Sequence, residues 1–256
     1  MGTAARISSF VRRSLNTVSK RSQFNHIMRA NKLRLDFALN KEEITTLIGI
    51  FSTREYADWF PFYQNAVIVD IGAHYGYFSS FASINSGPHT KIVAVEPSSR
   101  NFSALKRNLE ASGINNVTPL HRAIAKTNGT ISLSIGSSVN NTIIATNVPC
   151  GRSVTETVQC ETLEYLFRTN GLNHVDFVKL DCEGAEYEIF ETTPQAIFDR
   201  ITTLSMEFHD LKSEKYNANW LASKLFDVGF DIKKFEYSPT GVGKNFGKLI
   251  ASRLLK

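Results

Sequence analysis

Residues 66–77 read Ala66-Val67-Ile68-Val69-Asp70-Ile71-Gly72-Ala73-His74-Tyr75-Gly76-Tyr77. Six residues that are apolar except for Asp70 run straight into a turn with glycines at 72 and 76. A continuous apolar run is what a strand covered on both faces requires, and such strands belong to parallel sheets flanked by helices. Gly72 allows a sharp turn and close approach of a ligand to the backbone, and Gly76 lets the next helix start close to the sheet.

Working outward, similar runs recur at 91–96, 117–121, 175–181, 201–208, 230–235 and 247–251, which makes seven expected strands with the first. Helical patterns fit between them at 76–85, 99–111, a short stretch after Thr162, 185–191 and 217–228, several closed by glycine. The alternation predicts a doubly wound α/β domain with a mostly parallel sheet and helices on both faces. No helix of ordinary length fits between the last two runs, so the final strand is expected to pair antiparallel, through the turn around Pro239, Gly241 and Gly243. Residues 130–160 are rich in Ser, Thr and Asn between β-branched runs and read as a hairpin insertion. The expected organisation is a basic helical extension or cap over 1–60 and a main domain over 61–256.

The net charge of +5 is unevenly distributed. Arg6, Arg12, Arg13, Lys20, Arg21, Arg29, Lys32 and Arg34 lie within residues 1–35 without an acid, leaving 21 basic against 24 acidic residues, a net −3, in the remainder. A mildly acidic body argues against a fold-wide nucleic-acid footprint. The tail also carries Phe10, Leu15, Phe24 and Ile27, and three readings stand side by side. It is a basic amphipathic helix on an anionic membrane or protein partner, a transit peptide, or a helix packing its apolar side on the core. Asn40 with Glu43 resembles a capping box that opens a helical lid. No stretch approaches the ~18 uninterrupted apolar residues of a spanning helix. Cys150, Cys160 and Cys182 have neither zinc spacing nor an even count, so a reducing compartment is expected, and with it a soluble protein that is cytoplasmic, free or at a membrane periphery.

In doubly wound sheets ligands bind beyond the carboxyl ends of the strands. A dinucleotide fingerprint would need a third glycine where His74 stands, and Asp70 at the strand mouth would repel a pyrophosphate while suiting a ligand with a cationic end. Glu96, ending the second run, can accept both hydroxyls of a ribose. His121 and Ala123, after the third run, lie where an adenine edge could be met. The fourth run ends in Lys179-Leu180-Asp181-Cys182-Glu183-Gly184-Ala185-Glu186, three acids around a glycine, with Asp181 and Glu183 the stronger candidates and Glu186 read as a first-turn helix acid. The fifth ends in Glu207-Phe208-His209, where alternation sends Glu207 and His209 to one face, beside Asp181.

These elements together resemble the FkbM-type methyltransferases over roughly residues 66–252. The resemblance rests on Asp70 through Gly76, Glu96-Pro97, Asn108, Lys179 through Glu186, and Glu207-Phe208-His209. It implies a Rossmann-like class I methyltransferase fold and S-adenosylmethionine-dependent methylation of a hydroxyl group on a sugar, glycan or natural product, that is, a small-molecule or glycan acceptor. Asp70, Gly72, Ala73, His74, Gly76, Glu96, Ala123 and Asp181 would then hold the cofactor, with His74 standing where the family usually shows Asn. Asp181, Glu207 and His209 are the catalytic candidates: His209 or Asp181 takes the acceptor's proton, with Glu207 orienting the histidine. A divalent cation held by Asp181, Glu183 or Glu207 is a second route to an alkoxide. The competing readings are a nucleotide-dependent oxidoreductase on the same kind of sheet and a non-catalytic, basic-tailed adaptor. Tyr56, Trp59, Phe60, Phe62 and Tyr63 read either as a sugar-stacking face or, more simply, as core.

Overall fold

The computed structural model describes residues 19–35, 41–52, 56, 58–135, 142–143, 154–182, 184–209, 213–237 and 246–253. Two helices lead in, α1 over residues 19–30 and α2, Lys41–Ser52. The chain then runs β1 (Val67–Ile71), α3 (Tyr77–Ser86), β2 (Lys91–Val95), α4 (Ser99–Ala111), β3 (Val117–Leu120), β4 (Ala123–Ile124), β5 (Gly129–Ile135), β6 (Thr142–Ile143) and β7 (Val154–Glu161). It continues through α5 (Leu163–Thr169), β8 (Val175–Leu180), α6 (Glu186–Thr192), α7 (Gln195–Phe198), β9 (Ile201–His209), α8 (Ala218–Asp227), β10 (Asp231–Tyr237) and β11 (Phe246–Ser252). Each of the seven sequence-predicted strands is present within two residues of its expected limits. The short α7 was not foreseen.

The seven strands form one sheet in the order β10-β11-β9-β8-β1-β2-β3. β11 runs antiparallel to both its neighbours, and the other pairings are parallel. The chain builds outward from β1 to β3, then returns to lay β8 on the other side of β1. The carboxyl ends of β1 and β8 therefore flank the switch point, where a crevice opens in this architecture.

Alternate residues of the central strands serve two cores, which is why their apolar runs are unbroken. Val69, Ile71, Val93 and Val178 pack with Leu166, Phe190, Phe198 and Leu221 of α5 to α8. Ile68, Ile92 and Phe177 pack on the opposite face with Leu47 of α2, Phe78 of α3 and Leu105 of α4. A second, four-stranded sheet in the order β4-β7-β5-β6 is built from the insertion, with β5 and β7 antiparallel.

The described part of the basic tail joins this body. Phe24 and Ile27 of α1, with Leu33 after it, are buried in the α2 to α4 core, and the Arg34 N–H donates to Ser112 Oγ at 3.0 Å. Lys20, Arg21 and Arg29 stay exposed on the outer side. Residues 1–18 and the cap at Asn40 lie outside the described residues, as do Cys150 and the turn around Pro239. Among the described residues no helix is long and apolar enough to cross a membrane. The Glu43 carboxylate is buried and accepts from the Tyr77 hydroxyl at 2.9 Å, tying α2 to the start of α3. Of the aromatic run, Phe60 is core, in edge contact with Phe78, Phe81 and Phe177, whereas Phe62 and Tyr63 are exposed.

Because α1 closes the core, Phe24→Ala is expected to destabilise the protein by about 3 kcal/mol. In urea unfolding the midpoint should fall at unchanged slope, and a midpoint equal to wild type would show that α1 is not part of the fold.

Candidate active site

The turn after β1 owes its shape to three left-handed residues, Gly72 at φ +78°, His74 at +52° and Gly76 at +81°. The N–H groups of Gly72 and Ala73 both donate to the Val95 carbonyl at 3.0 Å, pinning the turn to the end of β2. A Cβ at position 72 would lie 1.9 Å from the Asp181 carbonyl oxygen, and one at 76 would lie 2.4 Å from Leu105 Cδ1. Gly72 is thus required by the chain leaving β8, and Gly76 by the packing of α4. Asn108 on α4 donates to the Tyr75 carbonyl at 2.8 Å and fixes the far side of the turn.

His74 occupies a conformation that costs most side chains free energy. There its N–H points at Glu96, donating to Oε2 at 2.7 Å, while its ring lies on Tyr75 with centroids 3.9 Å apart. The other Glu96 oxygen accepts from the Ser98 N–H at 2.9 Å and Asn101 Nδ2 at 3.3 Å. Burial pushes the Glu96 carboxyl up to about 7, and these donors only partly offset that.

Lys179, quoted in the motif but given no role there, is the hub of the site. Its ammonium donates to the Gly72 carbonyl at 2.8 Å and lies 3.5 Å from Asp70 Oδ1 and 3.7 Å from Asp181 Oδ2. Burial works against its charge, but Asp70 and Asp181 hold it protonated above the usual lysine range. Asp70, fully buried, also accepts from Ser79 Oγ at 2.6 Å.

Across the switch point, Asp181, Glu207 and His209 converge, each offering an atom within 4.8 Å of the other two. Alternation along β9 predicts this shared face. Burial, with the like charge of Asp181 adding to it, pushes Glu207 up to about 7, although Lys248 on β11 lies 3.8 Å away. Next to this cluster a cleft is lined by Tyr56, Lys179, Ser205, Lys234, Lys248 and Ile250.

The sequence reading missed one contact: His209 is met at Nδ1 by Glu186 Oε1, at 3.3 Å, while Glu207 lies in the same cluster. Glu186 is more than a first-turn helix acid: it is fully buried and accepts from the Cys182 and Gly184 N–H groups, each at 3.1 Å. Ala123 lies in β4 of the second sheet, its methyl buried with Leu133, Val158 and Cys160. His121 stacks on Phe102 and reaches the Pro97 carbonyl at 3.0 Å, a packing role. Glu183 lies outside the described residues.

Residues 70–232 match the family model of the methyltransferase FkbM domain, well over half of the chain. The chain belongs to this family. Among curated proteins, this FkbM methyltransferase is 26% identical to "Methyltransferase 1" of Beauveria bassiana (strain ARSEF 2860), over 82% of this chain and 87% of that one. It is 24% identical to "Methyltransferase sdnD" of Sordaria araneosa, over 77% and 86%. A solved structure similar to it is M. capricolum TrmK in complex with S-adenosylhomocysteine, at a TM-score of 0.48 and 14% identity, covering 79% of this chain and 68% of that one. Membership makes the protein an S-adenosylmethionine-dependent methyltransferase of class I fold and removes the oxidoreductase and adaptor readings.

The residues at the switch point fit that cofactor. Two buried or half-buried carboxylates against one ammonium leave a net negative charge beside the glycine turn, which suits a sulfonium and an amino-acid end. Glu96 Oε2, with His74 as its hydrogen-bond donor, keeps lone-pair capacity for a ribose hydroxyl.

Glu96→Gln is expected to weaken S-adenosylhomocysteine binding by about tenfold to a hundredfold, the size of a hydrogen bond to a charged group. Without ligand the sign reverses. A carboxyl raised by burial contributes stability below its unfolded value, and that is lost as pH rises to about 7. At pH 8 the variant should therefore melt above wild type. Calorimetry and thermal melts together check both arms, and wild-type affinity in the variant would remove Glu96 from the ribose site.

Proposed function

We propose that the methyl group goes to a hydroxyl oxygen of a small-molecule or glycan acceptor seated in the cleft under Tyr56, and that His209 takes the hydroxyl's proton. The observation that carries this reading is the convergence of His209 with Asp181 and Glu207, the two acids that line the cleft, beside the turn at Gly72. S-adenosylmethionine supplies an electrophilic methyl on a sulfonium and loses its positive charge as the methyl leaves. Little electrostatic stabilisation is then asked of the protein, and alignment of the reacting atoms carries most of the acceleration. An unactivated alcohol is a poor nucleophile until its proton has somewhere to go, which is what a histidine near neutrality offers. Asp181 and Glu207, on the same side, can accept from the acceptor's hydroxyls and hold it.

The cation route is less well supported. Lys179 lies 3.7 Å from Asp181 and Lys248 3.8 Å from Glu207, so an ion would compete with two amines for these two described carboxylates. The acidic body favours a small acceptor over nucleic acid, and the exposed Lys20, Arg21 and Arg29 on α1 support a peripheral contact with an anionic membrane or protein surface.

With labelled cofactor and a panel of hydroxylated acceptors, the label should appear as a methyl ether. His209→Asn should lower kcat by about 10²- to 10⁴-fold while leaving S-adenosylhomocysteine affinity intact. EDTA should leave the rate unchanged. Label recovered on nitrogen, or full turnover in the variant, would overturn the reading, and loss of rate in EDTA would restore the cation.

A further inference from the structure

The contact between Glu186 and His209 is not explained by capping or by packing alone. Glu186 is the first residue of α6 and is fully buried, where a carboxylate is costly unless its partners are fixed. Two of its partners are backbone N–H groups, of Cys182 and Gly184, in the segment between β8 and α6. Both donate to Oε1, and the same oxygen faces His209 Nδ1 at 3.3 Å. Local capping accounts for the two backbone bonds. It does not account for an imidazole brought from 23 residues away, at the end of β9, onto the same atom.

The geometry points to Glu186 as a positioning residue that holds the Nδ1–H tautomer of His209 and so presents the Nε2 lone pair to the acceptor hydroxyl. This rests on the proposed role of His209 as base. A neutral imidazole carries one N–H, and the nitrogen hydrogen-bonded to a carboxylate is the one that keeps it. The acceptor's proton passes to Nε2, giving an imidazolium whose Nδ1–H still points at Glu186, and it leaves to solvent after turnover. Glu186 thus fixes the direction of the ring before transfer and offsets its charge after transfer.

Other charged groups around the ring pull in known directions. From the exit of β8 come Asp181 and, further in, Lys179; Glu207 lies on the ring's own strand, and Lys248 projects from β11 opposite Glu207. Lys179 and Lys248 are each within 4 Å of one of these acids, Asp181 and Glu207. Glu186 is a carboxylate within hydrogen-bonding reach of Nδ1. Cys182 lies between β8 and Glu186, with its thiol pushed well above the usual cysteine range by burial and by Glu186, and it stays neutral.

The test uses the full-length protein, ¹⁵N-labelled at histidine and saturated with S-adenosylhomocysteine, with His209 assigned through His209→Asn. Long-range ¹H–¹⁵N spectra should show wild-type His209 as the Nδ1–H tautomer. Glu186→Gln keeps an acceptor oxygen but removes the charge. Its His209 titration and the acid limb of its kcat/KM profile should both move to lower pH by about one unit, with kcat down about tenfold and ligand affinity within about twofold of wild type. Glu186→Ala should let the Nε2–H form appear. An Nε2–H tautomer in the wild type, or a Glu186→Gln titration that does not move, overturns the pairing even if a variant folds poorly. A pairing confirmed by spectra alongside full turnover in His209→Asn defeats the base reading instead, and with it the catalytic purpose of the pair.

Discussion

One buried ammonium decides how this protein is put together at its switch point. Lys179 and Asp70 are in register on adjacent parallel strands, and the lysine reaches across to the Gly72 carbonyl and to Asp181 as well. It therefore binds the exits of β1 and β8, the two strands between which the crevice opens. A buried pair of this kind is weak evidence for net stability, yet loss of one partner leaves an uncompensated charge, at a cost of about 3 to 5 kcal/mol. The approach is so close that the Asp181 carbonyl occupies the space a side chain at position 72 would fill. The glycine turn, the lysine and the aspartate are consequently one unit, and the cofactor cradle we propose is built on it.

Much of this was legible in the sequence, and what was legible had local causes. The unbroken apolar texture of 66–71 and 91–96 follows from two cores sharing each strand, so the strands and their parallel sense could be read directly. Gly72 and Gly76 stand out because each is demanded by a contact at its own position. Glu207 and His209 share a face because alternation within one strand is a short-range rule.

Where the reading stopped, the cause was a long-range pairing. Ala123 follows β3 closely, yet it pairs with Cys160 in a second sheet whose partners arrive some 40 residues later. Glu186 sits at a helix start, where an acid is unremarkable; nothing in the local pattern announces a histidine from another strand on the same oxygen. Lys179 in a buried strand should have raised the question of its partners, since an ammonium there needs them, and the partners were Asp70 and Asp181. The basic tail was ambiguous for a different reason. An apolar stripe of Phe24 and Ile27 suits a membrane or a protein core equally well, and only the neighbouring surface of α2 to α4 decides between them.

The site uses one kind of side chain, the carboxylate, for different work by changing what surrounds it. Asp70 and Asp181 share an ammonium, and their charge remains available to a cationic ligand. Glu96 and Glu207 are instead pushed up to about 7, chiefly by burial, so each is poised between an acceptor and a donor near neutral pH. For Glu96 that poise matches a partner such as a ribose diol, which can both give and take hydrogen bonds. For Glu207 it places a titratable acid beside His209, the residue we propose as the base. Glu186 is a further case, fixed by two backbone donors and turned toward a ring. The division follows from position: at the exits of β1 and β8 the acids meet a lysine from the middle of the sheet, whereas Glu96 is buried at the exit of β2 and Glu207 is half-buried near the end of β9.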